Sequence, residues 1–243
     1  IPAGEAPLSS IEQPQIDGYR ILRVVGHGGM STVYLAEQAS LGRKVALKVM
    51  LPEALADEVS RARFENEART IARLQHPHIV GIHEVGRSST GLPYYTMPYL
   101  PNGDLGRRRL RGDSRAVLAV LRALVDALAY AHAHGVVHRD VKPDNVLFDK
   151  NDRPLLTDFG IALATTLDHD HRVTERGRTL GSSGYMSPEQ ARGSDVDARA
   201  DLYSLGVVCH ELLTGDLPFQ GIDALSMAMA HVEDPVPRLP SNG

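Results

Sequence analysis

The residues of this chain best suited to chemistry stand in two short runs: His138-Arg139-Asp140-Val141-Lys142-Pro143-Asp144-Asn145 and, shortly after, Asp158-Phe159-Gly160. They put a candidate base, a cationic partner, an amide and a second carboxylate within about twenty positions, the set that metal-assisted phosphoryl transfer to a hydroxyl requires. Asp140 can orient an acceptor O–H and take its proton late. Lys142 can neutralise charge on the moving phosphoryl group. Asn145 and Asp158 supply oxygen donors, the kind Mg²⁺ prefers. Asp-x-Lys-x-x-Asn alone is a weak signal, because short polar loops of this kind are common. Its weight comes from Asp-Phe-Gly at this spacing, joined to a glycine-rich loop and a lysine-bearing strand upstream.

The upstream elements are strand-like. Tyr19–Val25 and Thr32–Glu37 are rich in β-branched and aromatic residues and flank Gly26-His27-Gly28-Gly29-Met30-Ser31. Glycines there let backbone N–H groups approach a polyphosphate, since no Cβ intervenes. A plain hairpin turn fits the loop taken in isolation equally well. No Gly-Lys-Ser/Thr closes it and a strand follows, so it is not a Walker-type loop. Lys44–Val49 reads as a third strand, in which Lys48 shares a face with Ala46, so an inward Ala46 turns Lys48 into the same cleft. A helix expected from about Glu58 to Arg73 carries Glu65 and Glu67, either of which could pair with Lys48. Further strands are expected near Ile79–Val85 and Tyr94–Met97.

Past Gly103 the pattern turns helical. Val117, Leu121, Leu124 and Leu128, with Leu118 and Val125, mark one apolar face, and His132 and His134 end that helix before Gly135, an expected C-cap. Two more helices are expected over Ala198–Leu213 and Ile222–His231. A strand-rich part followed by a helix-rich part implies an α+β fold of two lobes, with the chemistry near their junction. Residues 1 to about 16, with three prolines and no periodicity, read as a leader or linker.

Bulk properties narrow the class. The 243 residues exceed the usual size of a single core, and 42% hydrophobic with 23% charged residues is ordinary for a globular protein. A net charge of −4 argues against generic nucleic-acid binding. One cysteine, Cys209, excludes an internal disulfide and fits a reducing compartment. No apolar run is expected to cross a membrane: Ala116–Ala131 comes nearest, but Arg122 and Asp126 interrupt it. Because the chain begins with Ile1, it is read as an excised piece whose parent could carry an anchor or sensor elsewhere.

From about Tyr19 to about Pro237 the chain resembles a protein kinase catalytic domain, specifically the eukaryotic-like serine/threonine kinases of bacteria. The resemblance implies ATP and Mg²⁺ (or Mn²⁺) as cofactors, with Asp140, Lys142, Lys48 and Glu67 in the catalytic machinery and Asn145 and Asp158 on the metal. The pairing position on the helix falls to Glu67. Phosphate cover falls to Gly26, His27, Gly28, Gly29, Met30, Ser31 and Thr32, with Ser31 where relatives carry a third glycine. Val33 is implied to pack on the adenine ring, and Val25, Ala46 and Leu147 complete the implied cofactor-binding set. Met97 is implied as the gatekeeper at its back, and the Pro98 carbonyl and Leu100 N–H as the hinge contacts. The N-lobe then runs to about residue 97, the hinge over 98–102 and the C-lobe over 103–243. Asn102-Gly103-Asp104 could meet the ribose.

By the same resemblance His138 is structural rather than a base, stacked with Ile71, Ile82 and Phe159, and Asp201 anchors the catalytic-loop backbone. Ser187-Pro188-Glu189 closes the activation segment. The late helix that would give Glu189 an arginine has no counterpart before Gly243, so the C-lobe is expected to lack its last helices, leaving Glu189 without that partner and apolar side chains around Ala198–Leu213 uncovered. Lys142 points to the Ser/Thr branch and so to protein substrates. Autophosphorylation is expected at Thr174, with Thr179 next and Ser182 serving substrate binding. A nucleotide-binding pseudokinase is disfavoured by the joint presence of Lys48, Glu67, Asp140, Asn145 and Asp158. A small-molecule phosphotransferase is disfavoured by the long hydroxyl-rich stretch from Asp158 to Glu189. Asp168-His169-Asp170-His171 reads as a polar loop rather than a metal site, and Arg107-Arg108-Arg109 with Arg111 as a solvated basic face. The expected location is the cytoplasm.

Overall fold

The computed structural model describes residues 14–28, 31–52, 58–159 and 183–238, apart from the side chains at 58–61, 63 and 67. Five antiparallel strands form the first lobe: β1 (Tyr19–His27), β2 (Ser31–Gln38), β3 (Arg43–Met50), β4 (Glu84–Arg87) and β5 (Pro93–Pro98), in the order β1-β2-β3-β5-β4. Helix α1 (Glu58–Ile71) packs beside β4 and β5. Side-chain alternation along β3 divides this lobe. Val45, Leu47 and Val49 enter a cluster with Tyr34, Ala36 and Tyr94, whereas Ala46 and Met50 face the main core with Phe64, Ala68, Tyr95 and Met97. The strand expected over Ile79–Val85 is shorter than that reading: Ile79 makes only an isolated parallel bridge to Leu156, and regular pairing begins at Glu84.

The second lobe is built on α2 (Ser114–Ala133), α3 (Pro188–Arg192), α4 (Ala198–Thr214) and α5 (Ala224–Glu233), with a small ribbon of β6 (Val146–Phe148) and β7 (Pro154–Leu156). Helix α2 buries Val117, Val120, Ala123, Leu124, Ala127, Leu128 and Ala131 against α4 and β7. Leu118 and Val125, expected on that face, are 57% and 49% exposed. Small alanines mark the buried stripe, and a reading weighted to large side chains rotates it. By length and composition α2 could also cross a membrane, contrary to the expectation drawn from Arg122 and Asp126. One stripe of it is packed inside the lobe. The left-handed Gly135 (φ 74°) lies just past its C-terminus, as expected.

Leu202 and Leu213 on α4 are exposed, as expected for apolar side chains of this helix. His231 on α5 is buried, its Nδ1 2.9 Å from the Tyr203 hydroxyl and its ring edge-on to Phe219. Burial holds its imidazole below the ordinary histidine range. The unfolded chain therefore takes up a proton near pH 6.5 that the folded one refuses until lower pH. The resulting stability is complete above about pH 6.5 and declines as acid is added towards the folded value. Urea unfolding between pH 7.5 and 5 should show this decline, and His231→Phe should flatten part of it.

Candidate active site

The catalytic loop carries strained backbone held by buried carboxylate and imidazole groups. Arg139 adopts φ 65°, a left-handed conformation that costs a non-glycine residue on the order of 1–3 kcal/mol. Asp201, fully buried on α4, holds it there: Oδ2 accepts the His138 N–H at 2.8 Å and Oδ1 the Arg139 N–H at 2.7 Å. His132 Nε2 lies 2.7 Å from the same carboxylate. From the other side Gln190 of α3 donates to the Arg139 carbonyl at 2.7 Å. Asp201 thus anchors the loop as expected and does not cap α4, whose N-cap is Asp197. Asp201→Ala would orphan one buried and one partly buried N–H group and should cost about 2–4 kcal/mol, measurable as a fall in the urea midpoint.

His138 is fully buried, and its Nδ1 accepts the Asp140 N–H at 3.2 Å. Nε2 must then carry the proton, which it donates to the Thr157 carbonyl at 2.9 Å. Burial keeps the imidazole below the ordinary range despite the Asp201 and Asp140 carboxylates nearby, so the ring is neutral and both nitrogens are committed. Its role is structural. The Phe159 ring lies 4.5 Å away, and Ile71, Phe159 and Ile82 share the core that joins the lobes.

Asp140 Oδ2 is fixed by Lys142 Nζ at 2.8 Å and Asn145 Nδ2 at 2.9 Å. Oδ1 has no partner among the described residues and is free to accept a hydroxyl proton. Asn145 spends its amide nitrogen on Asp140, through the carbonyl at 2.7 Å as well as the carboxylate, and keeps its own side-chain oxygen for another ligand. The Asn145 carbonyl accepts the Thr157 N–H at 2.9 Å, tying this loop to the backbone that leads into Asp158.

Asp158, itself left-handed at φ 57°, faces Lys48 from β3: Nζ lies 2.8 Å from Oδ1. Burial alone would raise its carboxyl, but the Lys48 charge and hydrogen bonds from Lys48 and Tyr95 hold it below the usual carboxylate range. Ala46 and Lys48 do share a face, as the strand reading expected. Glu65, one of the two candidate partners of Lys48, is committed elsewhere, to Arg69 at 3.1 Å and Arg87 at 2.6 Å. Glu67 occupies α1 between the buried Phe64 and Ile71, and its side chain lies outside the described residues.

Most of the described nucleotide-lining candidates stand on β1, β2, β3, β5 and β6. The Gly28 N–H donates to the Ser31 carbonyl at 2.8 Å, and Ser31 is buried at the start of β2. Gly26 and His27 end β1, with Val25 at a register shift in the ladder. Thr32 sits beside His27 at 3.3 Å. Gly29 and Met30 lie outside the described residues. Val33 pairs opposite Lys48, and Ala46 opposite Met97. The Met97 sulfur accepts from the Thr157 hydroxyl at 3.6 Å. Leu147, half-buried on β6, lies between the buried Val146 and Phe148. Beyond Pro98, the Leu100 N–H has no hydrogen bond among the described residues.

Asn102 and Asp104 do not support the ribose reading. The first donates to the Asp149 carbonyl and the second caps a short 3-10 turn. Of the basic run, Arg108 pairs with Asp152 at 2.6 Å and covers the Phe148 ring, so it is structural. Thr174, Thr179, Ser182 and the Asp168–His171 stretch lie outside the described residues. The sequence reading missed Tyr95 and Gln190. Gln190 was detectable as the second half of a Ser187-x-x-Gln190 capping box. No sequence signal marked the Tyr95 hydroxyl.

A family profile described as Protein kinase domain matches residues 19–238. Serine/threonine-protein kinase PknB of Mycolicibacterium smegmatis is 42% identical over 229 residues, covering 91% of this chain and 36% of the relative. Serine/threonine-protein kinase PknE of Mycobacterium tuberculosis is 44% identical over 232 residues, covering 94% and 40%. The PknI kinase domain of M. tuberculosis, solved as a single-substitution mutant, superposes with a TM-score of 0.65 at 29% identity, covering 88% of this chain and 94% of that one. The chain belongs to the protein kinase family, in its bacterial serine/threonine branch. It spans well under half the length of the PknB and PknE relatives it matches. Kinase domains use ATP and a divalent cation. Here the open oxygens of Asn145 and Asp158, with Lys48 alongside, form a donor set that fits them.

Proposed function

We propose that this domain transfers the γ-phosphoryl group of ATP, with Mg²⁺, to serine and threonine hydroxyls of proteins, itself among them. The observation that carries this reading is the asymmetry of Asp140: one oxygen locked by Lys142 and Asn145, the other open. Asp140 orients the acceptor hydroxyl through Oδ1 and takes its proton as the new bond forms. Lys142, already against Asp140, balances charge on the acceptor side. Asn145 and Asp158 would hold Mg²⁺ through hard oxygens, and Lys48 would support the phosphates. The ion, when bound, neutralises phosphate charge and lends Lewis acidity. Leu147, Ala46, Val33 and Met97 bound the apolar site for adenine, and Glu67 is the partner that would steady Lys48.

Incubation with radiolabelled ATP and a generic basic protein, followed by phosphoamino-acid analysis, should yield phosphoserine and phosphothreonine. Nucleotide binding with no transfer would assign the chain to scaffolding instead. Transfer confined to small molecules would replace protein substrates. The cytoplasm, where ATP is abundant and Cys209 stays reduced, is the compartment this activity fits.

Switching by autophosphorylation is part of the same proposal, with Thr174 as the leading site. Arg139 immediately precedes Asp140, and a phosphate brings about two negative charges and three acceptor oxygens that a guanidinium binds well. Peptide mass spectrometry after Mg-ATP treatment should find phosphate on Thr174 in the wild type and none in Asp140→Asn. Full activity in a Thr174→Ala, Thr179→Ala double variant would remove the switch from the proposal.

A further inference from the structure

Tyr95 is 2% exposed, and its hydroxyl donates to Oδ1 of Asp158 at 3.0 Å. Lys48 Nζ reaches the same oxygen at 2.8 Å. The two donors come from adjacent strands, since Tyr95 and Lys48 stand opposite each other in the β3–β5 ladder. A carboxylate oxygen offers two in-plane lone pairs, so Oδ1 is fully subscribed. Oδ2 has no partner among the described residues. The Tyr95 ring is clamped as well, stacked on Phe64 of α1 with centroids 6.2 Å apart and planes 28° from parallel. A buried hydroxyl needs an acceptor, and most find a carbonyl or water. This one is spent on a carboxylate assigned to the metal.

We propose that Tyr95 is a positioning residue that confines Asp158 to one-oxygen coordination through Oδ2, and so sets the preference of the site for Mg²⁺ over Ca²⁺. The proposal rests on reading Asp158 as a metal ligand. Mg²⁺ demands near-octahedral geometry at about 2.0–2.1 Å, whereas Ca²⁺ accepts six to eight oxygens at about 2.3–2.6 Å and readily takes both oxygens of one carboxylate. With the Tyr95 hydroxyl in place, the second oxygen is withheld. Without it, one Oδ1 lone pair is freed and the carboxylate can turn about its broad terminal torsion. That freedom favours the larger ion.

The test is calorimetric binding of a non-hydrolysable ATP analogue in the presence of Mg²⁺ or of Ca²⁺. Tyr95→Phe keeps the ring and removes the hydroxyl, and Tyr95→Met fills the volume without a donor should the phenyl ring be poorly tolerated. Either should lower the Mg²⁺/Ca²⁺ affinity ratio by about threefold to tenfold, towards the low end of what outer partners of metal ligands contribute. Phe64→Leu disturbs the stacking but keeps the hydroxyl, and should leave the ratio unchanged. An unchanged ratio in the Tyr95 variants, or an equal fall in Phe64→Leu, overturns the proposal. Asp158→Asn separates the two readings. If it abolishes cation-dependent binding while Tyr95→Phe leaves the ratio intact, only the role of Tyr95 falls. If cation-dependent binding survives Asp158→Asn, the metal-ligand assignment falls and takes the Tyr95 proposal with it.

Discussion

Asp140→Asn should reduce phosphoryl transfer by about a thousandfold or more, in the upper range for loss of a positioned general base, with nucleotide affinity nearly unchanged. The reason lies in the hydrogen-bond directions around this side chain. Oδ2 accepts from both Lys142 and Asn145. An asparagine whose NH₂ took that place would set three donors against one another, so its oxygen must turn there. The NH₂ then occupies the position of Oδ1 and presents a donor to the substrate hydroxyl, where an acceptor is required. None of the groups assigned to phosphate or adenine changes. Calorimetric nucleotide binding beside a turnover assay checks both halves of the expectation, and wild-type turnover in this variant would refute the mechanism.

Asp158→Asn should act on the other side of the reaction. It removes the negative charge that pairs with Lys48 at 2.8 Å and weakens the oxygen proposed to ligate the cation. Turnover should fall by about a hundredfold or more, together with cation-dependent nucleotide affinity, because ground-state binding and transition-state charge are both affected. Nucleotide affinity measured without divalent cation should change far less. Titration with and without Mg²⁺ distinguishes this from a general loss of fold, which would lower both.

These two carboxylates were legible in the sequence because their spacing and neighbours constrain them jointly. The alternation that brings Ala46 and Lys48 to one face of β3 follows from strand geometry alone, and the structure keeps it. Less local features were harder to read. Leu118 looks like core by its type, but the packing of α2 on α4 and β7 chooses the alanine-rich stripe instead. The small β6–β7 ribbon went unseen because three-residue strands offer no period to detect. Asp104 could be read towards a ribose because its commitment to Arg107 is a matter of three-dimensional capping. The bond between Tyr95 and Asp158 spans 63 positions, and nothing in a tyrosine within a strand announces where its hydroxyl ends.

The anchoring of the Arg139 backbone by Asp201 also sets a timetable for biosynthesis. Asp201 lies 61 positions beyond Asp140, so the ribosome makes the reactive loop well before the carboxylate that fixes it. At about 5–20 residues per second, the interval is roughly 3–12 s. Throughout it the His138 and Arg139 N–H groups have no Asp201 to accept them, and nothing repays the cost of the left-handed turn. A nascent chain halted between Gly160 and Asp201 would carry every motif up to Asp-Phe-Gly and still lack an assembled catalytic loop. The loop is assembled only when α4 has been made, so a polypeptide that stops short of it lacks the anchor its reactive residues need.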